Sequence, residues 1–295
     1  MRFEKWQALG NDYLIVERER LPFPLTAARA RRLCDPHLGP GADGVLELAP
    51  PTAPGTVAAL RILNPDGSEA ELSGNGAREA IMYLVRRGWT DQRQFSITTV
   101  AGEIRPTVLS DTTCRVDMGR ASLVSDDLPG GAPDGRGTLT ADVVGGGPRD
   151  WAFQHVKIGN PQCAIAVGSI DELEALDLPA IGPAIERHAR FPNRTNVSWY
   201  AELEPGRIRA RIFERGVGET MSSGTGASGA AVAYALAGGG RGEDGEGEQV
   251  TVVLDGGELV VDVGEDLHVD LTGWAVPVYV AEATDDLLRD LAALD

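Results

Sequence analysis

Cysteine is scarce in this 295-residue chain, with only Cys34, Cys114 and Cys163. So few and so widely spaced, they make neither a disulfide framework nor a CxxC zinc site. Lysine is scarcer still, at Lys5 and Lys157 alone, so nearly all the positive charge is arginine. That charge is outweighed: 27 basic against 44 acidic residues leave a formal net charge of −17. A chain of this sign is not expected to track nucleic-acid phosphates or anionic lipid, both of which need clustered Lys and Arg. No run approaches the roughly 18 uninterrupted apolar residues of a membrane-spanning helix. Residues 1–12, MRFEKWQALGND, carry no apolar stretch after their charges, so the expectation is a cytoplasmic protein without a signal peptide. The four histidines (His37, His155, His188 and His268) are dispersed, each reading as a surface or satisfied core residue. With no metal-ligand spacing and no glycine motif of a nucleotide site, neither metal nor cofactor is expected. What is present suffices for a core, and the length suggests two domains at about 150 residues each.

The chain repeats itself. Ser73-Gly74-Asn75-Gly76-Ala77 and Ser223-Gly224-Thr225-Gly226-Ala227 share the pattern Ser-Gly-x-Gly-Ala, 150 positions apart, each with a glutamate four residues upstream (Glu69 and Glu219). Gly10-Asn11-Asp12 answers Gly159-Asn160-Pro161, Gly102-Glu103-Ile104 answers Gly257-Glu258-Leu259, and Asp117-Met118-Gly119 answers Asp270-Leu271-Thr272-Gly273. Four pairs in one order, at nearly one spacing, indicate two copies of one fold with small loop insertions between them.

Within each copy the pattern is strands around one helix. Residues 13–16, 162–167, 250–254, 258–262 and 274–280 read as strands. Residues 77–85 and 227–236 read as helices, the second almost free of charge and so expected to be buried. Many strands and few helices, twice over, give an α+β class. Residues 126–149, rich in Gly, Pro and Asp, suit surface loops. The glycine-rich patch 238–248 suits a surface turn.

Each Ser-Gly-x-Gly-Ala turn stands just before a helix. The first N–H groups of a helix lack internal partners and carry the positive end of its dipole, and glycine lets the backbone approach a ligand. One such start is often only tight packing; two in a duplicated chain suggest a carboxylate site shared across a pseudo-twofold cleft between domains. Ser73 and Ser223 would then face a bound molecule from opposite sides. That layout suits inversion of a stereocentre, one group removing a proton and the other returning it.

These motifs resemble those of the diaminopimelate epimerase family from end to end. The similarity runs through residues 1–12, Gly41-Ala42-Asp43-Gly44, Asn64 through Arg78, Gly159-Asn160-Pro161, Arg194-Thr195-Asn196, and Glu214 through Gly226. The resemblance implies two pseudo-symmetric domains, 1–120 with 276–295 and 121–275, each a mixed sheet curled around a central helix, with the active site in the interdomain cleft. It implies cofactor-independent interconversion of L,L- and meso-diaminopimelate in the lysine and peptidoglycan pathway. Carried over by position, Asn11, Asn64, Asn160, Asn196, Glu214 and Arg215 would hold the substrate, Arg215 gripping a carboxylate bidentately. The backbone N–H groups of Gly74, Asn75, Gly224 and Thr225 would hold the carboxylate at the reacting end. The partner implied is a small amino acid; the residues leave the oligomeric state open, and a homodimer is one possible assembly.

The chain departs from the family at the two base positions. The family uses a pair of cysteine thiols; here both are serine, Ser73 and Ser223, with Glu214 expected to assist one of them. The family's supporting histidine is Gln162. A thiol ionises near 8.5, whereas an alcohol is a far weaker acid that needs an adjacent base. Three readings follow: serines introduced by substitution, a relative that binds an amino acid without racemising it, or an enzyme with other bases. Candidates for the last are Asp66, Glu69, Glu71, Glu214 and Glu219, each also readable as a cap or salt bridge. Another amino-acid isomerase or a dehydratase on the same fold is a further alternative.

Overall fold

The structure is a computed structural model and describes residues 1–71, 73–143, 147–239 and 247–294. The chain divides into two compact units, Met1–Val116 with Gly273–Asp295, and Asp117–Thr272. The first contains β1 (Arg2–Ala8), β2 (Asn11–Glu17), α1 (Ala27–Cys34), β3 (Val45–Ala49), β4 (Ala58–Leu63), β5 (Glu69–Ala70), α2 (Gly74–Arg86), β6 (Ile97–Thr99), β7 (Gly102–Ile104) and β8 (Pro106–Val108). The chain passes to the second unit within β9 (Thr113–Arg120). There follow β10 (Arg136–Val143), β11 (Gly147–Ile158), β12 (Asn160–Ala166), α3 (Ile170–Glu174), α4 (Leu178–Glu186), β13 (Asn196–Glu204), β14 (Arg207–Glu214), β15 (Gly218–Thr220), α5 (Gly224–Leu236), β16 (Glu248–Leu254) and β17 (Gly257–Val263). It returns within β18 (His268–Trp274) and ends with β19 (Val276–Glu282) and α6 (Asp285–Ala292) in the first unit.

The two sheets repeat one topology. The first sheet has the order β19-β1-β2-β3-β4-β6-β7, with β5 beside β4; the second has β10 through β14, then β16, β17, β18, β9 and β8, with β15 beside β14. β2 and β3 run parallel, as do β4 and β6, and their counterparts β12/β13 and β14/β16 do the same. The remaining pairs of both series are antiparallel. The two-domain α+β reading and the internal duplication are therefore expressed in the shared series of strand pairs, beyond which the second sheet adds β18, β9 and β8.

Strand alternation gives each sheet two buried faces. On β2, Leu14 and Val16 join a core with Leu33 of α1 and Leu291 of α6. The alternate residues Tyr13 and Ile15 are also buried, on the opposite face. In the second unit Cys163 and Ile165 of β12 pack with Leu173 of α3 and Ile185 of α4, while Gln162 faces α5. An added Cβ at Gly229 of α5 would lie 2.8 Å from the Gln162 side chain. α5 packs against β11, β12, β13, β14, β16 and β17. Such a central helix must be nearly all apolar and small, and Gly224–Leu236 is.

Two sequence expectations need correction. Residues 126–149 are not all loop, because Arg136–Val143 and Gly147–Ile158 pair as an antiparallel hairpin; residues 144–146 lie outside the described residues. Leu139 and Ala141 alternate inward, and Gly137 leaves room for the Phe153 ring, whose Cζ would stand 2.6 Å from an added Cβ. This glycine serves packing rather than a turn, and composition alone does not separate the two uses. Residues 274–280 are not one strand: Trp274 closes β18, Ala275 donates its N–H to the Thr112 carbonyl, and β19 begins at Val276. A continuous apolar run hides such a break. Within the 238–248 patch, residues 240–246 lie outside the described residues, and Glu248 opens β16.

Replacing Gly137 by alanine should force the Phe153 ring aside and destabilise the chain by about 1–3 kcal/mol. Urea denaturation measures this, and an unchanged midpoint would remove the packing role.

Candidate active site

Both helix starts are built alike. Ser73 and Ser223 have extended backbone (φ −130° and −146°), and their hydroxyl oxygens accept the N–H of Gly76 at 3.1 Å and of Gly226 at 3.2 Å. Each is thus the N-cap of a 13-residue helix and satisfies one of its orphan donors. The second glycine of each motif is a packing residue: a Cβ on Gly76 would press on Leu46, and one on Gly226 would lie 2.8 Å from Ile212. The N–H groups ahead of these glycines, including those of Gly74, Asn75, Gly224 and Thr225, open each helix, where an anion is favoured.

In the first unit Asn11, Ser73, Gly74 and Asn75 gather at the start of α2. Asn75 donates to Asn11 Oδ1 at 3.1 Å, and Asn11 Nδ2 donates to Asp43 at 2.8 Å. The Asn75 amide oxygen accepts from Arg78 at 2.6 Å, and the other end of that guanidinium donates to the Gly74 carbonyl. Asn64 is held in its own turn, donating to Ser68 Oγ at 2.9 Å. In the second unit Asn160 opens β12 next to α5, since a Cβ on Gly159 would lie 3.7 Å from Thr225 Cγ2. Its Oδ1 accepts from the Gln162 amide, whose own Oε1 is buried without a hydrogen-bond partner. Asn196, Glu214 and Arg215 form a second group at the ends of β13 and β14. The Arg215 N–H donates to Asn196 Oδ1 at 2.7 Å, and its guanidinium donates to the Asn193 carbonyl at 2.9 Å.

Most of the alternative carboxylates are engaged structurally. Glu69 pairs with Arg61 at 2.8 Å, Glu219 with Arg211 at 2.6 Å, and Asp66 accepts from the backbone and hydroxyl of Ser68, which hold its carboxyl below the usual range. Glu71 is exposed. Glu214, the last residue of β14, is half-buried beside Arg215. The three cysteines offer no ready thiolate: all are buried, and burial pushes Cys34 and Cys114 up to about 12 and Cys163 upward as well. Three of the histidine rings have polar partners, His188 Nδ1 accepting the Arg190 N–H at 3.2 Å. His155 is buried with Nε2 2.9 Å from Ser125 Oγ, and His268 pairs with Asp117 at 3.0 Å, Asp270 lying close by. Among the described residues no helix is long and apolar enough to cross a membrane.

Sequence reasoning missed three residues around Ser73. Arg78 and Glu79 of α2 are fully buried, and neither carboxylate oxygen of Glu79 has a hydrogen-bond partner from a side chain. Burial pushes Glu79 well above the usual carboxylate range despite the adjacent Arg78, and lowers Arg78. Tyr13 donates its phenolic O–H to Ser73 Oγ at 3.1 Å. Charged neighbours at 78 and 79 inside an otherwise apolar helix were a visible signal; the Tyr13 contact, between residues 60 positions apart, left none.

With this geometry in view, comparison with known proteins places the chain. Solved structures share the fold at low identity. A phenazine biosynthesis protein of the PhzF family from Bacillus anthracis aligns with TM-score 0.67 at 17% identity, over 96% of this chain and 99% of that one. A hydroxyproline epimerase from Agrobacterium vitis aligns with TM-score 0.66 at 16%, over 95% and 91%. Sequence relationships are closer. The profile of the family described as Diaminopimelate epimerase matches residues 3–124 and 154–277, one segment per repeat. A diaminopimelate epimerase from Synechococcus sp. is 39% identical over 95% of this chain and 96% of its own length. Another, from Pelotomaculum thermopropionicum, is 38% identical over 96% and 98%. The chain belongs to the diaminopimelate epimerase family.

The raised Glu79 has a consequence for stability. Below the unfolded carboxylate value of about 4.3 the residue is protonated in both states. Above it the unfolded chain gains by ionising while the folded chain stays neutral, so stability falls as pH rises towards the folded value. Glu79→Gln removes this loss. The difference in melting temperature between Glu79→Gln and the native chain should therefore widen from pH 4.5 to pH 8, as differential scanning calorimetry would read; a constant difference contradicts the assignment.

Proposed function

We propose that the chain is a cofactor-independent amino-acid isomerase of the diaminopimelate epimerase type, interconverting L,L- and meso-diaminopimelate. The observation that carries this reading is the duplicated N-capped helix start, each with an asparagine opening the neighbouring strand, in a chain whose relatives at 38–39% identity are named diaminopimelate epimerase. In this reading two epimerase-like domains present their helix starts to one cleft. The N–H groups of Gly74, Asn75, Gly224 and Thr225 hold the reacting carboxylate. Asn11, Asn64, Asn160, Asn196 and Arg215 orient the rest of the ligand, and Ser73 and Ser223 occupy the two base positions with Glu214 beside the second group. The net charge of −17 supports a small-molecule partner over a nucleic acid.

A second reading is favoured by one observation: both serine oxygens already serve as caps. The cleft would then bind the amino acid without racemising it. Incubation with diaminopimelate in heavy water separates the two. Deuterium at the α carbon by mass spectrometry supports the isomerase, whereas saturable calorimetric binding without exchange leaves only the binder. Because a thiol is the better base, Ser73→Cys with Ser223→Cys and Gln162→His should raise exchange by about 10²-fold; a folded but silent variant would place the departure elsewhere.

We also propose a second copy of the chain as partner. β19 is the edge of the first unit's sheet and exposes Val278, Tyr279 and Val280, an apolar edge of the kind that proteins cover. Sedimentation of the native chain should show a dimer that Val278→Lys with Val280→Glu dissociates; a native monomer rejects this proposal.

A further inference from the structure

The two serines are chemically unequal. Ser73 Oγ receives two donors, the Gly76 N–H and the Tyr13 phenol, both at 3.1 Å. The phenol is held there. Tyr13 is 6% exposed, and its ring fills the space left by Gly44, where a Cβ would lie 2.5 Å from Cε1 and 2.7 Å from the Leu63 carbonyl. Asn11 and Asn160 open corresponding strands, so the residue two places on, Tyr13 in β2, corresponds to Gln162 in β12. Gln162 turns its amide to Asn160. Among the described residues no phenol stands at the corresponding place beside α5, where Gln162 lies.

We propose that Tyr13 acts through Ser73 as a positioning and proton-sharing residue, so that the Ser73–Tyr13 pair, rather than Ser73 alone, is the first base of the isomerase. The inference rests on the isomerase reading for its catalytic meaning, but the hydrogen bond can be tested without it. Phenols as a class are stronger acids than aliphatic alcohols, ionising near about 10. In its basic form the pair lacks one proton, and the charge resides chiefly on the phenolic oxygen. When Ser73 Oγ takes the substrate's α-proton, its own hydroxyl proton passes to the phenolate; reprotonation reverses both transfers. One proton enters and none is lost, so no other reactant is needed. The N-terminal field of α2 and the Gly76 N–H steady the negative charge during the exchange.

The decisive measurement uses a thiol as reporter. In the Ser73→Cys variant the introduced sulfur replaces Oγ as acceptor, and the three native cysteines are buried. The pH at which iodoacetamide alkylation reaches half its maximal rate should be lower in Ser73→Cys than in Ser73→Cys with Tyr13→Phe, by about one unit, because the phenol's hydrogen bond favours the thiolate. Equal midpoints overturn the proposal. Should Tyr13→Phe misfold, the 13Cζ signal of Tyr13 can be titrated in the native chain and in Ser73→Ala, both of which keep the ring. Different midpoints support the pairing and identical ones overturn it. In exchange assays Tyr13→Phe should lower kcat at least 10-fold with little change in KM, and Ser73→Cys in the same chain should restore it. An unchanged kcat overturns the catalytic part. A native chain without exchange sinks the isomerase reading, while the thiol titration still decides the Ser73–Tyr13 pair.

Discussion

A helix that begins inside a protein has N–H groups that must find oxygen, and twice in this chain a serine hydroxyl supplies it. The Ser73 and Ser223 caps set where α2 and α5 start. Those starts in turn set which backbone N–H groups open each helix and where the glycine behind each cap lies against the sheet. Gly76 and Gly226 fit there because they lack a side chain. The cap therefore ties local backbone chemistry to packing and both to the candidate site, which explains why the motif survives in both halves while much around it differs.

The halves differ where their chemistry would differ. Around Ser73 the first unit packs a phenol, a buried arginine and a buried carboxyl against one turn of helix. At the matching places the second unit has Gln162, Ser228 and Gly229, and its central helix is nearly uncharged. A fully buried Arg78 beside Glu79 is costly to hold unless hydrogen bonds repay part of it. Here the Arg78 guanidinium does so by fixing the Asn75 amide and the Gly74 carbonyl. The same contact orients Asn75 towards Asn11, so the buried charge serves the geometry of the helix start.

Serine at these two places satisfies the cap, but an alcohol is a far weaker acid than a thiol. A hydroxyl accepts an N–H at least as well as a thiol, so the fold gains nothing from cysteine at these places and serine satisfies it fully. Proton transfer is a different demand, and it turns on what surrounds each oxygen. Family membership follows from the whole length of the chain, whereas its chemistry turns on a few atoms at the two helix starts.

Much of this was readable in the residues alone. The duplication, the α+β class, the helix starts and the apolar central helix depend on spacing and periodicity, which are properties of neighbours along the chain. The use of Gly137 as a packing residue in a strand was not readable, since glycine marks turns and close packing equally. Nor was the break at Ala275, hidden in an apolar run. Asn11 and Asn75 could be named as candidates by position, but their contact could not, and the same holds for Asn196 with Arg215. Tyr13 read only as a strand residue. Its meeting with Ser73, like the burial of Glu79, exists only once β2 is laid against α2, because hydrogen bonds and desolvation act through space between groups that the chain itself keeps 60 or more residues apart.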